Sequence, residues 1–420
     1  MRLFPATPPA GPFRPGFWRS PLRGPWLTAV FGLLLLPMLI VVAVTGFASH
    51  TAYQPALPGN AIVDPTRDLP LLDFGWPTGP AWLYAVSQGL HVTVGFVAIP
   101  LLLAKLWSVI PKLFEWPPAR SVAHAVERIG LALIVGSALF LFATGVVNAQ
   151  LYYPFKFNFV VAHYYAAWVF TAALVVHVAV KTPTILRALR RHGLRPARQS
   201  LARTEPEPPD EHGLVAPDPA RPTISRRGLL ALAGGGSLAL LVATAGQSIG
   251  GPARALAFLA PRRDPPGGGP NAFQVNKTAA AAGIKAEQTG AGWRLRIGGP
   301  RPRTLSRPDL LALPQATEEL PIACVEGWST TQTWTGVRLR DLAAMAGAAG
   351  RGCTVESLQR AGVLRRATLT ADQVDDERSL LALRVNGADL SRDHGYPARI
   401  IVPALPGVHN TKWVAELRFL

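Results

Sequence analysis

Five stretches of the chain are long and apolar enough to cross a bilayer, at about residues 25–48, 82–110, 129–149, 160–183 and 228–249. A spanning helix needs about 20 such residues, and no other pattern in the sequence restricts the fold as tightly. The first four runs predict an all-α membrane bundle. The fifth is poorer in strong hydrophobes and rich in Gly and Ala, and predicts a separate anchor helix. With 49% hydrophobic and only 16% charged residues, the chain is too apolar for an ordinary soluble enzyme.

The net charge of +17 would suggest a nucleic-acid partner if it formed a patch on a folded domain. Instead the cations sort by connection. Arg2, Arg14, Arg19 and Arg23 precede the first run, and Lys105, Lys112, Arg120 and Arg128 lie around the second connection. Lys181, Arg187, Arg190, Arg191, Arg195 and Arg198 follow the fourth run. The other two connections carry only Arg67 and Lys156, beside Asp64, Asp68 and Asp73. The positive-inside rule then puts the N-terminal tail, residues 1–24, in the cytoplasm. The bundle, 25–183, returns the chain there, and the fifth crossing places the C-terminal domain outside the plasma membrane. The bilayer, not nucleic acid, is the expected partner.

Residues 184–223 read as a disordered cytoplasmic linker, Pro-rich and charged through Glu205-Pro206-Glu207-Pro208-Pro209-Asp210. In the segment 224–250, Ile224-Ser225-Arg226-Arg227-Gly228-Leu229-Leu230 resembles a twin-arginine export signal. The plainer reading makes Arg226 and Arg227 flanking charges of the anchor. Ala255-Leu256-Ala257 has the small residues of a cleavage site, but cutting there would free the domain from its membrane partner, so a retained helix is expected. A Pro/Gly linker, 251–270, leads into the last domain, 271–420.

Histidines inside spans are functional candidates. His163 and His177 lie fourteen residues apart on the fourth run. Steps of about 100° return them to nearly one helix face, separated by about 21 Å of rise. His91, on the second run, is expected at the depth of His163, with His50 in reserve; His124 is the weaker mate for His177. The pattern resembles the paired haem ligands of four-helix b-type cytochromes, such as the membrane subunits of formate dehydrogenases and hydrogenases. It implies one haem b on His91 and His163, and allows a second on His177 and His124. This chain has Trp26 where that pattern expects a histidine, which counts against the second haem. The plain alternative leaves these residues as interfacial or buried polar groups. No Cys-x-x-Cys-His is present, so covalent haem is excluded.

From Asn271 the pattern changes to period-two alternation and short amphipathic pieces. Residues 293–297, 319–325, 380–385, 398–402 and 413–419 read as strands, and 307–313 and 339–346 as short helices. An α+β domain of about 150 residues is expected. Its most telling residue is Cys324, a thiol at a strand end followed by Val325-Glu326-Gly327-Trp328-Ser329. Thiolate sulfur suits a soft, high-valent metal. A bridge to Cys353 would consume that ligand and is not expected. Trp328 and Trp334 are placed to keep water from the thiol.

This region resembles the sulfite-oxidase-type molybdopterin domain, over nearly all of 271–420, and most resembles the methionine-sulfoxide reductase branch of that family. The likeness implies Mo-molybdopterin, with Cys324 as molybdenum ligand and catalytic residue. Asn271 and Phe273 match the opening segment against the pterin, and Ser357 a hydroxyl contact. His394 and Arg399 match the turn and strand that hold the pterin phosphate, and Asn410, Thr411 and Lys412 a late clamp. A phosphate-ended cofactor needs the charge-assisted donors that Arg399 and Lys412 offer. Such a cofactor is inserted before export, which suits the twin-arginine route for folded cargo.

One departure bears on substrate. Sulfite oxidases follow the metal Cys with an arginine-rich segment, where this chain has Val325-Glu326-Gly327-Trp328. A carboxylate there disfavours a dianion and favours a neutral sulfoxide. The expected whole is a multi-domain membrane oxidoreductase joining the quinone pool, through b-type haem, to a small-molecule substrate at molybdenum. Sulfite-type oxidation, a bundle that only anchors, and a tethered binding domain without cofactor are the alternatives.

Overall fold

The computed structural model describes residue 5 and residues 7–53, 74–192, 204–210, 213–265 and 267–420. Arg2, Asp64, Arg67, Asp68, Asp73, Arg195 and Arg198 lie outside the described residues, as do parts of the 184–223 linker.

Five helices are long and apolar enough to cross a membrane: α1 (Pro25–Ala52), α2 (Leu83–Leu113), α3 (Val122–Ala149), α4 (Phe159–His192) and α5 (Arg226–Ile249). They match the five apolar runs to within a residue or run past them at one or both ends. α4 continues through Pro183, whose ring removes one backbone hydrogen bond without ending the helix. α3 begins earlier than hydropathy predicts because the polar turn Val122–Arg128 is itself helix-compatible.

The described chain forms two compact units assembled from separated segments. The first comprises Met1–Val44, Thr93–Val147 and Ala162–Val242. Its core packs Trp26, Leu27, Phe31 and Leu35 of α1 with Leu101 and Leu102 of α2, Leu141 of α3 and Phe170 of α4. Arg226 donates to the carbonyls of Glu205, Pro21 and Leu22 at 2.8, 3.1 and 3.3 Å, so one of the paired arginines has a local structural role at the start of α5.

The second unit comprises Thr45–Val92, Asn148–Val161 and Ala243–Leu420. It contains an α+β domain with α6 (Ala286–Thr289), β1 (Arg294–Gly298), β2 (Arg303–Ser306), α7 (Arg307–Ala312), β3 (Ala316–Ala323) and β4 (Ser329–Arg338). There follow α8 (Leu339–Met345), β5 (Cys353–Ser357), β6 (Arg366–Leu369), α9 (Ala371–Asp375), β7 (Leu380–Val385), β8 (Ala388–Asp389), β9 (Arg399–Ile401) and β10 (Val414–Phe419). One sheet has the order β2-β1-β10-β5-β6, with β1 and β10 parallel. The other runs β3-β4-β7-β8, and β9 pairs with β7.

The main core is built by the inward faces of alternating strands, Leu295 and Ile297 of β1 and Val414 and Leu417 of β10 among them. β7 is flanked by partners and buried at every residue but Arg384, which is why it reads as an unbroken apolar run. Capping boxes at Ser306/Asp309 and Thr370/Gln373 start α7 and α9. β3 starts at Ala316 and stops at Ala323, earlier at both ends than the 319–325 reading. Cys324 therefore stands just past the strand, in the turn to β4.

Candidate functional site

The β3–β4 turn is closed by backbone bonds on both sides of the thiol. Cys324 N–H donates to the Trp328 carbonyl at 2.9 Å, and Gly327 N–H donates to the Cys324 carbonyl at 3.0 Å. Gly327 sits at φ 92°, a conformation that strongly favours glycine. The turn buries Cys324 among Phe273, Trp328 and Trp334, and burial, then the nearby Glu326, pushes the thiol up to about 12. The free thiol thus keeps its proton, and a metal must displace it. Cys353 lies in the other core cluster, and both cysteines are free.

Glu326 does not present an unopposed charge beside that thiol. Trp328 Nε1 donates to its carboxylate at 2.7 Å, and Arg262 Nε at 3.2 Å. Its negative charge is offset locally, which removes most of the electrostatic case against a dianionic substrate.

A second cluster converges from β9 and the loops before β10. Arg399 is buried, donates from Nη1 to the His394 carbonyl at 3.0 Å and from Nη2 to the Asn410 carbonyl at 3.2 Å, and lies 5.1 Å over the Trp334 ring. Burial brings its guanidinium down to about 9. Lys412 donates to the Asp393 carbonyl at 2.9 Å and to that of Lys277, and burial, then Arg399, lowers its ammonium strongly. Gly395, at φ 113°, lets the turn approach both: a Cβ there would lie 3.0 Å from Arg399 Cβ and 3.2 Å from Lys412 Cβ.

His394 stacks on Phe273 with ring centroids 3.7 Å apart, and its Nε2 faces the Asn271 carbonyl at 3.0 Å. Burial, then Arg399, lowers it to about 3, so the ring is neutral and donates from Nε2. The Asn271 side chain bridges the Asp389 carbonyl and Ser391 N–H at 3.0 and 2.7 Å, which fixes the loop carrying His394. Ser357 Oγ donates to the Lys412 carbonyl at 2.8 Å. Three buried polar atoms of this cradle have no protein partner: Arg399 Nε, Asn410 Nδ2 and Thr411 Oγ1. Buried polar groups are normally paired. Two desolvated cations beside spare donors describe a receptor for an anion.

Sequence reasoning missed how the helix ends enter this unit. Gln88 Nε2 of α2 donates to the Val325 carbonyl at 2.6 Å, and Ser248 Oγ of α5 donates to the Gly327 carbonyl. Ser329 Oγ donates to the Ser248 carbonyl at 2.9 Å, and Arg254 donates to the Ser329 carbonyl at 2.6 Å. Tyr84 packs with Ala52 and Ala323, while His409 Nε2 faces the Tyr53 carbonyl at 3.1 Å. The available signal was Ser87-Gln88, a polar pair within an apolar run.

The histidines divide between the units. In the second, His91 Nδ1 faces Thr45 Oγ1 at 3.5 Å, and a Cβ on Gly46 would lie 2.7 Å from the ring. In the first, His163 Nδ1 faces Thr144 Oγ1 at 2.9 Å, and a Cβ on Gly145 would lie 3.5 Å from the ring. His177 is further along α4, half-buried. His124 accepts from Arg120 N–H at 3.2 Å, with Nε2 4.0 Å from Glu115, so it joins a polar cluster at the start of α3. His50 ends α1.

Residues 282–420 match the family described as oxidoreductase molybdopterin binding domain. Over those residues the chain is similar to that oxidoreductase family. An uncharacterized oxidoreductase, YuiH of Bacillus subtilis (strain 168), is 34% identical over 130 residues, 30% of this chain and 65% of that protein. The protein-methionine-sulfoxide reductase catalytic subunit MsrP of Xanthomonas campestris pv. campestris is 30% identical over 144 residues, 30% of this chain and 45% of that one. Mitochondrial sulfite oxidase of Mus musculus is 33% identical over 101 residues, 22% and 18% of the two chains. The chain therefore spans less than two thirds of each of these relatives.

The residues of this domain fit a molybdopterin cofactor. The cation cradle and its spare donors suit a phosphate-ended pterin. Among the described residues no three His, Cys, Asp or Glu side chains converge as a metal cage.

Proposed function

We propose that this chain is a membrane-bound, molybdopterin-dependent oxidoreductase that passes electrons from membrane quinol, through b-type haem, to an extracytoplasmic site reducing a sulfoxide-like substrate. The observation that carries this reading is a buried free thiol in the β3–β4 turn, Cys324, in the same unit as two buried cations, Arg399 and Lys412, that lack a carboxylate ion pair among the described residues. Bound molybdopterin supplies a metal that changes oxidation state by two electrons and exchanges an oxygen atom with a small molecule. Cys324 would give its sulfur to that metal. Arg399 and Lys412 would hold the phosphate, and Phe273, Trp328 and Trp334 would exclude water. In the overall reaction a sulfoxide takes up two electrons and two protons and leaves as a thioether and water. A quinol gives up the same electrons and protons and becomes a quinone.

For the haem, His91 and His163 are the proposed axial ligands, with His177 and His124 for a second group. Both members of the first pair face the hydroxyl of a Thr-Gly dipeptide, Thr45-Gly46 and Thr144-Gly145. An imidazole that binds iron through Nε2 donates its Nδ1–H to a fixed acceptor, which orients the ring. His124 would have to leave its polar cluster to act as a ligand, so one haem is the favoured form. The positive-inside asymmetry supports a cytoplasmic N-terminus, and Arg226-Arg227 supports export of the folded domain.

Metal, pterin and haem analysis of the purified chain tests this reading, followed by sulfoxide and sulfite turnover side by side. Molybdenum with a bis-histidine haem spectrum and sulfoxide reduction is expected; absence of molybdenum and pterin overturns it and leaves a tethered binding domain. Sulfite oxidation is the second reading, favoured by the Arg262–Glu326 pair that offsets the carboxylate near the thiol.

A further inference from the structure

α2 carries three features within one stretch, residues 88–92. Gln88 is buried at 7% exposure, although it lies in a membrane-length helix. Its side-chain N–H is satisfied by the Val325 carbonyl, one residue past the thiol. A buried amide in an apolar helix is costly unless it finds such a partner. One turn later, Val92 touches Gly327, where a Cβ would lie 2.7 Å from Val92 Cβ. Between them is His91. α5 completes the contact: Gly89 brings it close, since a Cβ there would lie 2.9 Å from Ser248 Cβ, and Ser248 then bonds both Gly327 and Ser329.

We propose that the 88–92 turn of α2, with Ser248 of α5, is a built seat for the Cys324 turn that joins the His91 site to the thiol within one chain. This deepens the quinol-to-substrate reading and rests on it. Gln88 and Ser248 are positioning residues: they hold the Val325 and Gly327 carbonyls, one and three residues past Cys324, against the helix that presents His91. Electron transfer falls steeply with distance and with gaps in packing, so a fixed seat replaces a diffusing carrier. The seat also requires that α5 be retained. Arg254, beside Ala255-Leu256-Ala257, bonds Ser329 and lies 2.9 Å from Asp264, so the segment that a cleavage would cut is tied into the same contact.

The test uses the full-length chain and the variants Gln88→Leu and Ser248→Ala, with two readouts. One is the rate at which quinol-reduced haem reoxidises when sulfoxide is added. The other is sulfoxide turnover driven by a reduced soluble dye that reaches the molybdenum domain directly. Displacing a reacting group by about 1 Å can cost a factor of about a hundred, so haem reoxidation should slow by about tenfold or more while dye-driven turnover stays within about twofold. Equal loss of both rates in the two variants assigns these residues a merely structural role and overturns the proposal, as does no change in either. A wild-type chain without a haem band defeats the functional reading and the proposal with it. A haem-loaded wild type with variants that show no split defeats the proposal alone.

Discussion

Arg262 holds Glu326 at 3.2 Å, two residues beyond Cys324, with the Glu326 carboxylate also accepting from Trp328 at 2.7 Å. The pair ties the turn after Cys324 to the 251–270 linker. It also changes what the acidic residue means: in sequence it reads as a negative charge at the site, whereas in the fold it is a neutralised anchor.

Removing the guanidinium takes the cation from a buried carboxylate that keeps its Trp328 hydrogen bond. Arg262→Ala is expected to cost about 2 kcal/mol and lower the thermal midpoint. Glu326→Gln, which leaves no buried charge unpaired, should cost less. Paired thermal melts of the two variants check the order.

Cys324→Ser should abolish oxygen-atom transfer and lower bound molybdenum while the domain still folds, because a hydroxyl is a poor ligand for a soft metal. Cys353→Ser, in the other core cluster, should retain turnover and lose about 1 kcal/mol of stability. Metal content, turnover and melting of both variants separate ligand from core residue.

The Cys324 thiol, pushed up to about 12, binds metal only by losing a proton. Below that value its thiolate fraction rises with pH, so loading of apo-protein with cofactor should release a proton and tighten as pH rises. Loading titrations at several pH values, with proton release read by an indicator, test the sign.

His394 is neutral when folded, with its value lowered from 6.5 to about 3. The unfolded chain binds the extra proton first, so the contribution of this residue to stability is complete above 6.5. It is lost progressively as pH falls toward 3. An acid-unfolding series should show that loss, and His394→Gln should flatten the curve across that window.

Thr144→Val removes the hydroxyl facing His163 Nδ1. Loss of an outer-shell partner of this kind costs about 10–100-fold in metal affinity in comparable sites. Weaker haem retention and a raised haem midpoint potential are expected, measured by optical titration; unchanged values would free Thr144 of this role.

The apolar runs, the change of pattern near Asn271 and the thiol at the end of β3 were legible because each is written in local sequence. Helix ends were less so, since lipid solubility decides the run but backbone geometry decides the end, as α4 shows by passing through Pro183. The individual cradle residues were readable as donor types. Their arrangement was not, because Arg399 and Lys412 are brought together by the β9 strand and by the turn at Gly395. Least legible was the seat at Gln88 and Ser248, whose partners lie 237 and 79 positions away in sequence. No periodicity encodes such distant pairings.

The most direct measurement follows the haem band of the purified full-length chain, first reduced with a quinol, after a sulfoxide is added without oxygen. Oxidation of the band in the wild type, and none in Cys324→Ser, is the predicted result. A wild-type band that stays reduced, or one that oxidises equally without the thiol, contradicts the link between the membrane helices and Cys324.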